Sequence, residues 1–423
     1  MNAMKRAWPA VVALAVPWWP AWAQTQTPTP PDNPALSEAR QQWREANERV
    51  GEFPRGHIDL LKWEQRHLPP VAKAARTGPA LTADEAVRRA LRLRPELFGA
   101  APANPVQARE RHLALLAHIT RVRQAWQDAV LAAQALALQQ ARSEVADSGA
   151  ELGRRMVQAG NWSQARLLRE QVTQAREGLA LVQARQAERG ARERLARELG
   201  LTSASEVAAL AQQLPAELPE PPTTLDTPDI DTIASSVVAA DATLAQQRLD
   251  TGRQVGALPG GLLEQLARAR EGAAASLPSD GLPASAPVIT DTRLTREHAL
   301  GEAAEAQAAL VRAETERRSQ AREAWGRLQD QHALARQTGT LMLPLVTAQE
   351  QETLLRYNGM LQSTWELLDA TRERLAAATA AAQARHAYWT AWLDWQLLLA
   401  GGPYRATATD APSASAGTAS EDH

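Results

Sequence analysis

Residues 356–370 read Arg356-Tyr357-Asn358-Gly359-Met360-Leu361-Gln362-Ser363-Thr364-Trp365-Glu366-Leu367-Leu368-Asp369-Ala370. An Asn-Gly pair here interrupts a segment of helical composition running from about Arg296 to Ala400. An earlier segment, from about Val106 to Gly200, is interrupted in the same way at Gly160-Asn161. The two segments align without a gap. Arg123, Ala125 and Trp126 recur as Arg322, Ala324 and Trp325, Glu151 as Glu350, Gly160 as Gly359, Leu168 as Leu367 and Leu199 as Leu398. A weaker echo relates Asp84 and Leu97 to Asp231 and Leu244. A long internal repeat of this kind marks a duplicated structural unit. Each copy reads as a helical hairpin that reverses at its glycine, because a reversal favours a residue tolerant of positive φ.

Periodicity supports helical arms packed as coiled coils. Ala165, Leu168, Val172, Ala175, Leu179 and Val182 keep a 3-4 spacing, and Leu361, Leu368, Leu375, Ala382 and Trp389 recur every seven residues. Both stripes are expected to form the seams that close their own hairpins. Composition agrees. The chain has 423 residues, about 87 of them Ala, and only 2 Phe and 3 Tyr. Such a chain suits long helices packed through small residues better than a core of large side chains. The expected fold is therefore all-α, two tandem long antiparallel hairpins with short helices between them, and few or no β-strands.

Around these hairpins the chain divides as follows. Residues 1–23 read as a secretion signal, with Lys5 and Arg6, an apolar stretch and Ala21-Trp22-Ala23 as cleavage site. Residues 24–35 form a Pro/Thr linker. Residues 36–105 hold short helices, one of them opened by a capping box of Thr82 and Glu85. Hairpin 1 occupies 106–200, a Pro-rich connector 201–229, further short helices and a Gly/Pro-rich loop 230–295, hairpin 2 296–402, and a polar tail 403–423. The strand-like piece is Val288–Leu294. The last helix carries Trp389, Trp392 and Trp395, expected to anchor it to the opening helices.

Several function classes lose support. With 46 Lys+Arg against 48 Asp+Glu the net charge is −2, so nucleic acid is not the expected partner. The absence of cysteine removes disulfides, thiolate metal sites and a cysteine nucleophile. No H-E-x-x-H, G-x-S-x-G, Walker A or G-x-G-x-x-G motif is present. Glu64-Gln65-Arg66-His67 is a single Glu-x-x-His step, where a di-iron bundle needs two. No enzyme activity and no cofactor are expected. Met156 and Met360 each fall within four residues of a turn glycine. They either fill gaps at the turns or offer soft thioethers to a metal such as Cu(I).

Arg356-Tyr357-Asn358-Gly359 with Leu367-Leu368-Asp369-Ala370, the weaker Met156-Val157-Gln158-Ala159-Gly160 with Leu167-Leu168, Leu81–Leu97 and Gln183–Leu201 together resemble motifs of the TolC-like outer-membrane efflux family. The resemblance covers about residues 80–400. It implies a homotrimeric tube whose helical barrel crosses the periplasm, with equatorial short helices and a β-barrel in the outer membrane. It implies a passive duct, serving a multicomponent efflux system, copper among its conceivable cargoes, with a periplasmic adaptor and an inner-membrane pump as partners. It further implies that Gly160 and Gly359 are docking turns and that Arg356, Tyr357 and Asp369 line the entrance. The 26 residues from Leu97 to Arg123 leave little room for a first membrane hairpin, so the β-barrel is expected to be reduced or absent. The competing reading is a periplasmic coiled-coil scaffold or adaptor that conducts nothing.

Overall fold

A computed structural model describes residues 80–99, 104–226, 229–278 and 282–405. These belong to one compact unit. The expected signal, the Pro/Thr linker, the Glu64/His67 pair and the tail beyond residue 405 lie outside the described residues.

The described residues are helical, and no β-strand occurs among them. Helix α1 spans Ala83–Leu91, and a 3₁₀ turn follows at Pro95–Leu97. Hairpin 1 is α2, Pro105–Gln158, and α3, Gln164–Leu199. Shorter helices follow: α4 Ala204–Gln213, α5 Ile230–Ala240, α6 Ala242–Gly256, α7 Leu262–Ala275 and α8 Thr292–Arg296. Hairpin 2 is α9, His298–Arg336, a π-helical turn at Gln337–Met342, α10, Leu343–Asn358, and α11, Thr364–Leu399. The strand-like piece 288–294 is irregular chain that runs into α8.

Local chemistry explains most boundaries. Thr82 Oγ1 accepts the Glu85 amide at 3.2 Å, as a helix N-cap should. The expected capping box is only half made, because the Glu85 carboxylate pairs with Arg89 one turn on instead. Complete boxes form at Ser203/Glu206 and Ser363/Glu366, at the starts of α4 and α11. The stretch from Ile230 to Gly256 is two helices separated at a single residue. Asp241 ends α5 and caps α6, its carboxylate accepting the amides of Thr243 and Leu244 at 2.9 and 3.1 Å. Its other oxygen meets the buried Arg317 at 3.1 Å.

The long arms lie side by side in the order α3, α2, α11, then α9 with α10. Two equivalent core clusters sit at the ends of the arms away from the turns. In the first, α1 packs Ala86, Val87 and Ala90 onto Val122, Ala125 and Ala129 of α2 and Leu195 of α3. In the second, α5 packs Ala234 and Val237 onto Ala321, Ala324 and Leu328 of α9 and Ala391 and Leu398 of α11. Helices α1 and α5 start 147 residues apart, which is the spacing of the weaker sequence echo. Trp126 sits in the first cluster, its indole N–H donating to Leu81 O at 2.9 Å. Trp325 borders the second, 5.5 Å from the Trp395 ring. Trp389 reaches both clusters and donates to Pro219 O at 2.8 Å. With Arg385, which pairs with Glu217 at 2.9 Å, it straps the Pro-rich connector onto α11.

The repeat has one register change that the ungapped alignment misses. Buried positions of α2 and α9 match at a separation of 199: Val122 with Ala321, Ala125 with Ala324, Ala129 with Leu328. Beyond the π turn the separation is 200, since α2 and α10 end at Gln158 and Asn358 and α3 and α11 begin at Gln164 and Thr364. A π turn bonds i to i+5 and takes up one residue more than an α-helical ladder. The cause is local. Pro344 has no N–H and would crowd the carbonyl one turn back in a regular helix. The helix widens just before Pro344 and continues through it. The hydroxyls of Thr338 and Thr340 bond the carbonyls of Leu334 and Arg336 at 2.8 and 2.7 Å. The pairs Glu151/Glu350, Gly160/Gly359 and Leu168/Leu367 are therefore one residue out of structural register.

Candidate docking turns and association edges

The two reversals are built from the same hydrogen bonds. In the first, the amides of Gly160 and Asn161 bond Val157 O at 2.9 Å and Met156 O at 2.8 Å. In the second, the amides of Met360 and Leu361 bond Tyr357 O at 2.9 Å and Arg356 O at 2.8 Å. The left-handed position is Gly160 (φ 75°) in one and Met360 (φ 58°) in the other. Gly359 has φ −80° and fills the place of Ala159, so it is not the residue that needs conformational freedom. That corrects the expectation drawn from sequence. Both turns are exposed. A Cβ at Gly160 would meet no atom within 4 Å, and Met360 and Leu361 are 91% and 79% exposed.

The turns are joined laterally. Trp162 and Trp365 stack with centroids 4.3 Å apart, and the Arg166 guanidinium lies 4.1 Å over the Trp162 ring. Arg372 of α11 pairs with Glu170 of α3 at 3.0 Å. Gly153 gives the Trp162 ring its room, since a Cβ there would come within 3.3 Å of it. Sequence reading singled out neither tryptophan of this stack. The signal was available: each lies within two residues of a Ser that opens an ascending arm.

Of the expected entrance residues, Arg356 is exposed and pairs with Glu352 at 2.8 Å. Asp369 is exposed and pairs with Arg372 at 2.9 Å. The two are thus each engaged along their own helix and not with one another. Tyr357 is half-buried beside Arg356. Met156 is half-buried in the first turn while Met360 stands out from the second. Among the described residues no group of three or more His, Asp or Glu could hold a metal ion. No described helix is long and apolar enough to cross a membrane.

The hairpin seams differ from expectation in an informative way. The α11 stripe does face inward, with Leu375 and Ala382 buried, although Leu361 is exposed. The α3 stripe faces outward. All six of its residues are exposed, Leu179 by 67% and Val182 by 58%. Besides buried small contacts such as Ala146 and Ala150, hairpin 1 is closed by polar ties. Gln139 donates to the Glu177 carboxylate at 2.6 Å, Arg142 reaches it at 3.4 Å, and Gln174 donates to Asp147 at 2.7 Å. The opposite outer arm has an apolar stripe of its own. Leu341, at the end of the π turn, and Ala348 and Leu355 of α10 recur every seven residues, with Leu345 between them, and all are exposed. The layer of arms thus carries one unpartnered coiled-coil stripe on each edge.

No protein-family profile matches the chain, and no curated protein matches it in sequence. Solved structures do resemble it. A membrane protein from Pseudomonas aeruginosa shares 16% identity over 76% of this chain and 72% of its own, with a TM-score of 0.46. CusC, studied for its folding and transmembrane channel formation, shares 15% identity over 76% and 74%, with a TM-score of 0.45. The open state of the MtrE outer membrane channel of Neisseria gonorrhoeae shares 18% identity over 77% and 73%, with a TM-score of 0.42.

Proposed function

We propose that this chain is the protomer of a helical tube, and that the tube is the passive duct of a multicomponent efflux system in the cell envelope. The observation that carries this reading is the pair of exposed apolar stripes on α3 and α10. A side with an unpartnered coiled-coil stripe calls for a partner helix. Here the second stripe, on the far edge of the same layer, fits the first. Val172 and Ala348, and Leu179 and Leu341, lie at matching distances from their turns, the last pair about 28 Å up each arm. Joining unlike edges is a heterologous contact, and it closes into a ring when the rotation per copy allows. The copies then stand with their turns level, as a tube requires. A homotrimer is the expected ring.

The exposed turns are the docking positions in this reading. Each copy offers Gly160 and Asn161 from one hairpin and Gly359, Met360 and Leu361 from the other. A periplasmic adaptor, itself tied to an inner-membrane pump, is the expected partner. Arg356, Tyr357 and Asp369 stand near the second turn and line the entrance when the ring is closed. Their ion pairs are exposed, so each contributes only ~0–1 kcal/mol and yields easily on docking.

The chain has no cysteine, so introduced pairs report cleanly. Val172→Cys and Ala348→Cys in one chain should cross-link between copies and give a covalent ring. Pull-down of an adaptor by the wild type, lost in a Gly160→Trp, Met360→Trp variant that still forms the ring, tests docking. A chain that stays monomeric at all concentrations, with no cross-link, would support the scaffold reading instead.

A further inference from the structure

Above the apolar stripes the same two edges carry charge. On α3 the outward 3-4 spacing runs on beyond Val182 through Gln186 to Arg189 and Glu193, and all three are exposed. Arg197 follows about two turns after Arg189 and is exposed as well. The Arg197 side chain makes no hydrogen bond or ion pair with any described residue, and that of Arg189 reaches only the Arg185 carbonyl, at 3.3 Å. On the opposite edge, Glu316, Glu323 and Asp330 of α9 recur every seven residues and are exposed. Their line runs on through Gln337 into Leu341, Leu345 and Ala348. The side chains of Glu323 and Asp330 make no hydrogen bond or ion pair with any described residue.

Distance from the turns relates the two sets. Arg189 and Arg197 lie about 44 and 56 Å from Gly160 along hairpin 1, counted at 1.5 Å per residue. Asp330 and Glu323 lie about 44 and 54 Å from Met360 along hairpin 2, once the extra residue of the π turn is allowed for. Each of these arginines thus has an uncommitted carboxylate at its own level on the other edge. The remaining uncommitted charges near the upper level, Glu193 of α3 and Arg322 of α9, are exposed and again opposite in sign. Like edges do not match in this way. Two α3 arms side by side with their turns level set Arg189 against Arg189 and Arg197 against Arg197, and two α9 arms set Asp330 against Asp330. The apolar stripes cannot make this distinction, because burial of leucine against leucine is favourable in either arrangement and has no direction.

We infer that Arg189 and Arg197 of one copy face Asp330 and Glu323 of the next, and that this charge pattern makes unlike edges join, so that copies form a ring and not a back-to-back pair. The inference rests on the ring proposed above. The stripes around Leu179 and Leu341 supply the adhesion, and the charges choose the edge and the register. Exposed opposite pairs add little to the strength of a joint, whereas like charges set against each other suppress the wrong one.

Sedimentation of four versions of the full chain tests this. The wild type should assemble as a trimer. Arg189→Glu with Arg197→Glu should raise the concentration needed for half-assembly about tenfold or more, and Glu323→Arg with Asp330→Arg should do the same. All four substitutions in one chain put opposite charges back at both levels, and assembly should return to within about threefold of the wild type. Added NaCl should weaken the wild type and the combined chain and strengthen each half-reversed chain, since screening removes attraction in the first two and repulsion in the others. The four side chains are exposed, so unfolding of the separate chains should not change. A wild type that never assembles, or a Val172→Cys chain that forms a disulfide-linked dimer through this position alone, overturns the ring and this inference with it. A trimer that forms equally well in all four chains, or reversals that the combined chain does not rescue, overturns the inference alone.

Discussion

The two hairpins share a turn but not an outer face. Both reverse through the same pair of backbone hydrogen bonds, yet hairpin 1 sets glycine in the left-handed position and hairpin 2 sets methionine there. In hairpin 1 the ascending arm is the outer one, with its apolar stripe outward; in hairpin 2 the ascending arm is inner and the descending arm carries the exposed stripe. The difference is what a duplicated unit needs to join copies of itself. The two outer arms are thus unlike elements, one ascending and one descending, and each carries an exposed apolar stripe.

The largest difference between the halves should appear where their last arms end. Gly200 and Gly401 both close an ascending helix at positive φ, 68° and 85°. A Cβ at Gly401 would press on backbone, within 2.8 Å of the Ala240 carbonyl carbon at the end of α5, a helix that packs into the second core cluster. A Cβ at Gly200 would meet only the end of the half-exposed Leu93 side chain. Gly401→Ala should therefore cost about 3 kcal/mol or more in denaturant unfolding, and Gly200→Ala only about 1–2 kcal/mol. Equal losses would mean that the two ends are packed alike.

The lateral tie between the turns comes next. Trp162→Ala and Trp365→Ala should each destabilise the fold by about 1–2 kcal/mol, with a coupling of about 0.5–1.5 kcal/mol in a double-mutant cycle. A coupling of zero would make the stack incidental. The register change is tested by smaller effects. Gly160→Ala should lose about 1 kcal/mol and Met360→Gly should gain about 0.5–1 kcal/mol, while Gly359→Ala stays within about 0.5 kcal/mol of the wild type. Were the repeat ungapped through the turn, Gly359→Ala would instead match Gly160→Ala.

The smallest effect is a pH slope confined to hairpin 1. The folded chain holds His118 below the ordinary value of 6.5, chiefly by burial. Below that value the unfolded chain binds a proton that the folded one refuses, so stability falls as pH drops from about 6.5 toward the folded-state pKa. His118→Phe should flatten this part of the stability curve. An unchanged slope would place the titration elsewhere.

The sequence displays these hairpins because helices repeat at 3.6 residues and because rare residues such as Trp126, Trp325 and the turn glycines punctuate an otherwise uniform composition. Thr82 could be read as a cap because capping is local. What stayed hidden is what depends on neighbours. The α3 stripe has the right period for a seam, but a period does not say which helix it faces, and here Glu177 and two glutamines close the hairpin instead. The one-residue gain at 337–342 was hidden because the identities around it survive a shift in an alanine-rich chain. The division of 230–255 turned on Asp241, whose role depends on Arg317 some 76 positions away.

The outward stripe of α3 bears most directly on the proposed tube, and sedimentation of the full chain tests it. Leu179→Glu with Val182→Glu should leave the unfolding free energy of the isolated chain within about 0.5 kcal/mol, because both positions are exposed. The wild type is predicted to sediment as a closed trimer and this variant as a monomer, with Leu341→Glu, Leu345→Glu on the opposite edge giving the same result. A wild type that sediments as a monomer, or a trimer indifferent to both pairs of substitutions, would contradict the account.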